Sequence, residues 1–102
     1  MITRLVKMTF APEKREEFLA LFNTNKERIA GFEGCLQLEL GNDTAQANVF
    51  FTISRWRSED DLENYRRSEL FASVWSKTKA LFAEKPEAWS LNIAYDSSGK
   101  LA

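Results

Sequence analysis

Few side chains in this 102-residue sequence can act as a nucleophile, a base or a metal ligand. There is no histidine, which excludes a Ser-His-Asp or Cys-His triad, an imidazole base and a His-ligated metal or haem. A single cysteine, Cys35, excludes internal disulfides, cysteine-rich zinc sites and iron–sulfur clusters. Because no histidine or second cysteine is present to activate it, we expect Cys35 to be a partly buried, unreactive thiol.

Phosphate loops and charged binding surfaces are also disfavoured. The four glycines are scattered and form no phosphate-binding motif. A net charge of −1 argues against a protein that binds nucleic acid or a membrane surface. Residues 55–67 contain four arginines and four carboxylates, which is typical of a solvated, salt-bridged helix surface. No segment has the apolar length of a membrane helix or a signal peptide, and with one free thiol this predicts a cytoplasmic protein.

Aromatic side chains dominate what remains, with eight Phe, three Trp and two Tyr. A domain of this size buries roughly 60–65% of the surface that its unfolded chain exposes. We therefore expect some of the apolar surface to contact a partner or a ligand. The length corresponds to one domain, which we place at residues 1–96, followed by a flexible tail at 97–102.

The elements that must position these rings follow from the hydrophobic periodicity. The first helix begins near Pro12 and ends near Gly31. Ser58 and Ser68 are candidate N-caps, so the second helical region divides into a short and a longer helix before Pro86. Period-two alternation predicts four strands, at residues 2–10, 35–41, 48–56 and 88–95.

This β-α-β-β-α-β order predicts an α+β, ferredoxin-like fold with an antiparallel four-stranded sheet and the helices on one face. Phe50 and Phe51 are neighbours in one strand, so they point to opposite faces of that sheet. Val49, Phe51 and Ile53 would therefore form an apolar face without helices. A large exposed apolar face is unusual in a monomer, and we expect a homodimer that packs sheet to sheet.

Two segments carry a family resemblance: the turn Gly-Phe-Glu-Gly-Cys at 31–35 and the region 56–71. The second contains a strand ending in Trp56, a short helix led by Ser58, and a Ser68-x-x-Phe71 entry into the next helix. Over residues 2–95 the chain resembles the antibiotic biosynthesis monooxygenase family. The resemblance implies a dimeric α/β barrel with a pocket between helices and sheet in each protomer. Members oxidise quinols or aromatic polyketides with O₂ and no cofactor, degrade haem, isomerise or bind small molecules, or have no known activity.

The haem-degrading branch is tested by its own residue pattern. That pattern has a Trp on the short helix, an axial His ten residues later and an Asn on the first strand. The matching positions here are Tyr65, Trp75 and Val6, or Lys7 if the register slips by one. None carries the required residue, so we reject haem degradation.

The resemblance places the candidate site on the second helical region. We assign Tyr65 and Trp75 as catalytic candidates, because Tyr65 can orient or deprotonate a hydroxyl and Trp75 can stack on a ring. Aromatic residues at helical spacing are also explained by core packing alone, and Trp56 is best explained as a packing anchor. Other polar candidates are Arg55, Arg66 and Glu39. The residues assigned to substrate binding are Phe71, Val74, Val6, Met8 and Asn92.

Two functions therefore stay open. The first is a cofactor-independent monooxygenase that needs no metal and oxidises a small aromatic or quinol-like substrate in a hydrophobic pocket. The alternative is a non-catalytic dimeric module that binds a small molecule or responds to stress, in which the bulk of Trp75 fills the cavity. A cavity well under about 300 Å³ would favour the alternative.

Overall fold

The computed structural model describes residues 1–99. That part of the chain contains four strands, three α-helices and a 3-10 helix at Pro12–Lys14, in the predicted order and with the predicted division at Ser68. The α-helices are α1 (Arg15–Ala30), α2 (Glu59–Arg66) and α3 (Glu69–Lys79); the strands are β1 (Ile2–Thr9), β2 (Cys35–Asn42), β3 (Val49–Trp56) and β4 (Glu87–Asn92).

The sheet order is β2-β3-β1-β4 and every neighbouring pair is antiparallel, which confirms the ferredoxin-like arrangement. The first and last strands are shorter than predicted. Phe10 lies just beyond β1, where its N–H bonds to the carbonyl of Asn48 at 3.0 Å and it forms an isolated bridge with Phe82. The last strand ends at Asn92 because its partner there is Ile2, where β1 begins. Of the predicted tail, residues 100–102 lie outside the described residues.

Helix α1 forms where its sequence signals predict. Pro12 opens the preceding 3-10 turn, and Glu16 and Glu17 in the first turn of α1 complement the positive end of the helix dipole. Gly31 is the C-cap residue, and its N–H bonds to the carbonyl of Glu27 at 2.9 Å. The helix buries one side, including Phe18, against the sheet.

The core lies between this helix layer and the sheet. Met8, Phe10, Phe18, Phe50 and Leu81 form one buried cluster that joins β1, α1, β3 and the segment after α3. The Phe10 and Phe18 rings stack with centroids 4.1 Å apart. Phe50 therefore faces the helices, as the alternation predicted. None of the helices in the described residues is long and apolar enough to cross a membrane.

The opposite face of the sheet also carries apolar side chains, as predicted. In the strand register, Leu5 lies between Ile53 of β3 and Trp89 of β4. Trp89 is 43% exposed and Leu91 is 41% exposed in the single chain. We call this surface, formed by Leu5, Phe51, Ile53, Trp89 and Leu91, the outer sheet face.

A turn between α1 and β2 fixes the start of α2. Gly34 has a φ of +88°, and a Cβ atom at this position would lie 2.4 Å from Cβ and Cγ of Asp61. The carbonyl of Gly34 accepts the Arg57 N–H at 2.8 Å. The Arg57 guanidinium donates to both Asp61 oxygens, at 2.8 and 3.0 Å, and to Glu33 at 2.9 Å. Glycine is needed here both for the backbone conformation and for the close approach of Asp61.

Ser58 caps α2 as predicted, because its Oγ accepts the Asp61 N–H at 3.2 Å. The same hydroxyl donates to the Asp61 carboxylate at 3.0 Å. Hydrogen bonding to Arg57 lowers the pKa of Asp61, and the hydrogen bond from Ser58 acts in the same direction. The ion pairs of Arg57 with Asp61 and of Arg66 with Glu63 form the salt-bridged helix surface that the charge pattern predicted.

Candidate functional site

A cavity of about 260 Å³ lies between the helices and the inner face of the sheet. Val6 and Met8 of β1 form part of the sheet side, together with Trp56 of β3. Leu62 of α2 and Trp75 of α3 form part of the helix side. The cavity is thus the pocket between helices and sheet that the family resemblance predicted.

Most of the predicted site residues meet at this cavity. Asn92 does not: it is exposed at the end of β4 and does not line the cavity. Arg55 and Glu39 also lie elsewhere, since Arg55 pairs with Asp96 and Glu39 lies beside Ile53 on the outer sheet face. The predicted residues that do line the cavity are Tyr65, Trp75, Phe71, Val74, Val6, Met8 and Arg66.

A row of aromatic rings forms one wall of the cavity. Trp56 and Tyr65 stack with centroids 5.0 Å apart, and Tyr65 meets Phe71 edge to face at 5.2 Å. Phe71 stacks on Trp75 at 5.8 Å, and Trp75 meets Phe82 edge to face at 5.7 Å. These spacings lie in the range of favourable aromatic pairs. Each ring of this wall therefore packs against the next one.

Ser68 sets the geometry of this wall by separating α2 from α3. Its hydroxyl donates to the carbonyl of Tyr65 at 2.6 Å and accepts the N–H of Phe71 at 3.1 Å. One serine thus ends the short helix and caps the next. Because the helix axis changes here, Tyr65 and Phe71 meet edge to face although they are six positions apart in sequence.

Trp56 has the packing role predicted for it. Its side chain is 1% exposed, and its Nε1–H donates to Oγ of Ser54 at 2.9 Å. A buried indole with a satisfied N–H is a stable platform. Tyr65 stacks on that platform, so Trp56 positions the predicted catalytic phenol.

Tyr65 carries a neutral phenol at physiological pH. Burial raises the pKa of Tyr65 to about 12, and the nearby Cys35 thiol contributes in the same direction. Within residues 1–99, the Tyr65 hydroxyl has no hydrogen-bond partner. The phenol is therefore suited to donate a hydrogen bond to a ligand rather than to remove a proton from one.

Cys35 has no feature of an activated thiol. It is partly exposed, burial raises the pKa of its thiol, and its Sγ–H donates to the carbonyl of Gln37 at 3.7 Å. A raised pKa lowers the fraction of reactive thiolate. The described residues also contain no cluster of three or more Cys, Asp or Glu residues that could hold a metal ion.

Arg4 is the site residue that sequence reasoning missed. It lines the cavity together with Arg66, which was among the polar candidates. The alternation of β1 indicates this position, because Arg4 is an even number of residues from Val6 and Met8 and so points to the same face of the sheet. An arginine on the inward face of a strand is unusual.

Comparison with known proteins agrees with this geometry. Residues 1–74 match the family model described as "Antibiotic biosynthesis monooxygenase". Over 83 residues the chain is 26% identical to "Putative monooxygenase YcnE" of Bacillus subtilis and 29% identical to "Uncharacterized protein sll1783" of Synechocystis. Each match covers 81% of this chain, with 87% of the Bacillus protein and 56% of the Synechocystis protein.

A solved structure described as that of an antibiotic biosynthesis monooxygenase superposes with a TM-score of 0.87 at 18% identity. The superposition covers 93% of this chain and all of the other. At this identity the likeness concerns the fold, and it agrees with the sheet order and helix positions described above. The family match spans most of the sequence, and the chain belongs to the antibiotic biosynthesis monooxygenase family.

Proposed function

We propose that the protein oxidises a small aromatic or quinol-like compound with O₂ and without a cofactor, and that the reaction takes place in this cavity. The observation that carries the proposal is the continuous ring wall with a neutral phenol in it, since Trp75 offers a stacking surface and Tyr65 an unpartnered hydroxyl. Membership of the family supports the reaction class.

The reaction needs an electron-rich substrate anion in an apolar site, because such an anion transfers an electron to O₂ directly. For a substrate with a ring CH₂ beside a carbonyl, loss of one proton gives the enolate. Addition of O₂ and loss of water then leave a second carbonyl: CH₂ plus O₂ gives C=O plus H₂O. Trp75 would hold the ring, and the Tyr65 O–H would hydrogen-bond the substrate oxygen that gains charge.

Anthrone is a suitable test substrate, and oxygen uptake is the measurement. We expect protein-dependent uptake above the autoxidation rate, unchanged by a metal chelator. Tyr65→Phe and Trp75→Ala should each lower it by about tenfold or more, whereas Tyr95→Phe, at a residue that is 81% exposed, should leave it unchanged. Full activity in both site variants would contradict the assignment of these residues.

One observation favours a second function, a binding or stress-response module without turnover. The cavity of about 260 Å³ lies slightly below the roughly 300 Å³ typical of the smallest ligand sites. Binding of an aromatic ligand without oxygen uptake for any quinol or anthrone tested would support this module instead.

We also propose that the chain is a homodimer joined through the outer sheet face. Trp89 and Leu91 are large apolar side chains that remain about two-fifths exposed in the single chain, beside the partly buried Leu5 and Ile53. Contiguous apolar surface of this kind is typical of an interface. Helices cover the other side of the sheet, so a second copy is the partner that fits a self-complementary face.

A further inference from the structure

The lining of the cavity includes two cationic side chains. Arg4 of β1 and Arg66 at the end of α2 both line it. Of the described residues that line the cavity, none carries a carboxylate. We infer that the ligand is an aromatic anion whose ionised oxygen binds between Arg4 and Arg66. This inference rests on the proposed function only in taking the cavity as the ligand site.

Arg4 has donor capacity that the protein leaves unused. Its side chain points inward with Val6 and Met8, and its Nη1 donates to Oγ of Ser90 at 2.9 Å. Within residues 1–99 this is its one side-chain hydrogen bond, whereas a guanidinium has five N–H donors. Partial burial of a cation without an anionic partner is unfavourable. A ligand carboxylate or phenolate would supply that partner.

Arg66 increases the positive charge at the same side of the cavity. Its partner Glu63 lies 3.4 Å away on the helix surface, where both side chains are 44% exposed. Burial lowers the pKa of Arg4 and the positive charge of Arg66 lowers it further, while Glu63 raises it. The two arginines therefore repel each other, and an anion between them would relieve this repulsion.

The lining thus divides by chemistry. One wall consists of aromatic rings, including Phe71 and Trp75, which suit a flat apolar body. The arginines suit an oxygen anion attached to that body, because charge-assisted hydrogen bonds are stronger than neutral ones. An ionised hydroxyl or a carboxylate on a ring fits both parts. A neutral aromatic compound would leave the Arg4 guanidinium with Ser90 as its hydrogen-bond acceptor and without an anionic partner.

Isothermal titration calorimetry with 2-naphthoate and 2-naphthamide, which share ring and shape and differ in charge, tests this inference. The wild-type protein should bind the anion about tenfold more tightly or better. Arg4→Gln should remove most of this preference and Arg66→Gln part of it. Arg67→Gln is the matched control, because Arg67 is exposed and does not line the cavity, and it should keep the full preference.

Equal affinity for the two compounds, or no binding of naphthoate, would overturn the inference. So would a loss of preference in Arg67→Gln as large as in Arg66→Gln, since that would indicate general surface charge. If Arg4→Gln fails to fold in a thermal melt, Arg66→Gln still decides the result, because Arg66 is exposed.

Anion recognition and the monooxygenase reaction can be tested independently of each other. Oxygen uptake with anthrone but equal affinity for both naphthalenes would support the reaction and refute anion recognition. Preference for naphthoate without oxygen uptake would support anion recognition and refute the monooxygenase.

Discussion

Replacing Trp75 by alanine tests whether its indole contacts a ligand in the cavity or fills the cavity itself. The indole packs between two rings, stacked on Phe71 at 5.8 Å and edge to face with Phe82 at 5.7 Å. It also faces the cavity. The substitution therefore changes the stability of the fold and the shape of the site together, and each effect has its own measurement.

The stability change follows from the two ring pairs that the indole makes. Each aromatic pair contributes about 0.5–1.5 kcal/mol beyond area burial, so two pairs contribute about 1–3 kcal/mol. Complete removal of a buried Trp costs about 3–5 kcal/mol. Because Trp75 is only partly buried, we expect a decrease of about 3 kcal/mol in the free energy of unfolding.

Urea unfolding and calorimetry with 2-naphthoate provide the assay. If Trp75 is a ligand surface, Trp75→Ala weakens binding by about tenfold, because the naphthalene ring no longer has an indole to stack on. The control Tyr95→Ala, at a residue 81% exposed, should change stability by less than about 0.5 kcal/mol. A stability decrease below about 1 kcal/mol would refute the packing argument, and tighter binding in the variant would show that the indole blocks the cavity.

The remaining predictions concern the turn, the acid response, the interface and the phenol. Gly34→Ala should lower the unfolding free energy by more than about 2 kcal/mol in urea melts, because φ is positive there and the added Cβ would clash with Asp61. Gly99→Ala is the control: its φ is also positive but the space around it is open, so it should lower the unfolding free energy by less than about 1 kcal/mol. Equal decreases in the two variants would contradict the clash with Asp61. Because the pKa of Asp61 is lowered by folding, its ionisation stabilises the protein above the unfolded value of about 3.9, and this stabilisation is lost as pH falls through the lower folded value. The gap between wild type and Asp61→Asn should therefore narrow between about pH 5 and pH 2 in urea melts, and a constant gap would contradict the assignment. Trp89→Ser should raise the dimer dissociation constant about tenfold or more in sedimentation equilibrium, and unchanged assembly would reject the sheet-to-sheet interface. With a pKa of about 12, Tyr65 stays neutral below about pH 10. The pH profile of oxygen uptake should therefore keep its shape in Tyr65→Phe and only decrease in amplitude. If the variant lost an inflection that the wild-type profile shows, Tyr65 would be the base instead.

Much of the fold could be predicted because its signals are local. Alternation of apolar residues places Phe50 toward the helices and Phe51 toward the other face, and the register confirms it. Ser58 and Ser68 cap α2 and α3 through hydrogen bonds within their own helices. The strand ends were less predictable, because β4 stops where β1 offers no further partner, and that limit depends on a segment distant in sequence.

The site was predicted in part for the same reason. The i,i+4 spacing places Phe71 and Trp75 on one side of α3, and the division at Ser68 brings Tyr65 of α2 to the same wall; both signals are local. Arg4 was missed although the alternation of β1 places it on the inward face, because a charged residue in a strand is usually expected to face solvent. Asn92 shares the strand face of Ala88, which does line the cavity, but it pairs with Ile2 at the start of β1 and so lies at the end of the sheet, away from the cavity.

The sheet order has a consequence for how the chain folds. β1 is a central strand, yet its partners come much later: Ile2 pairs with Trp56 of β3 and with Asn92 of β4. Contacts of such large sequence separation close slowly, since a long loop must be ordered before they form. Until residues 87–92 are in place, β1 presents an open hydrogen-bonding edge beside Leu5. This interval is when the chain is most exposed to edge-to-edge aggregation, and a chaperone that covers that edge would act there.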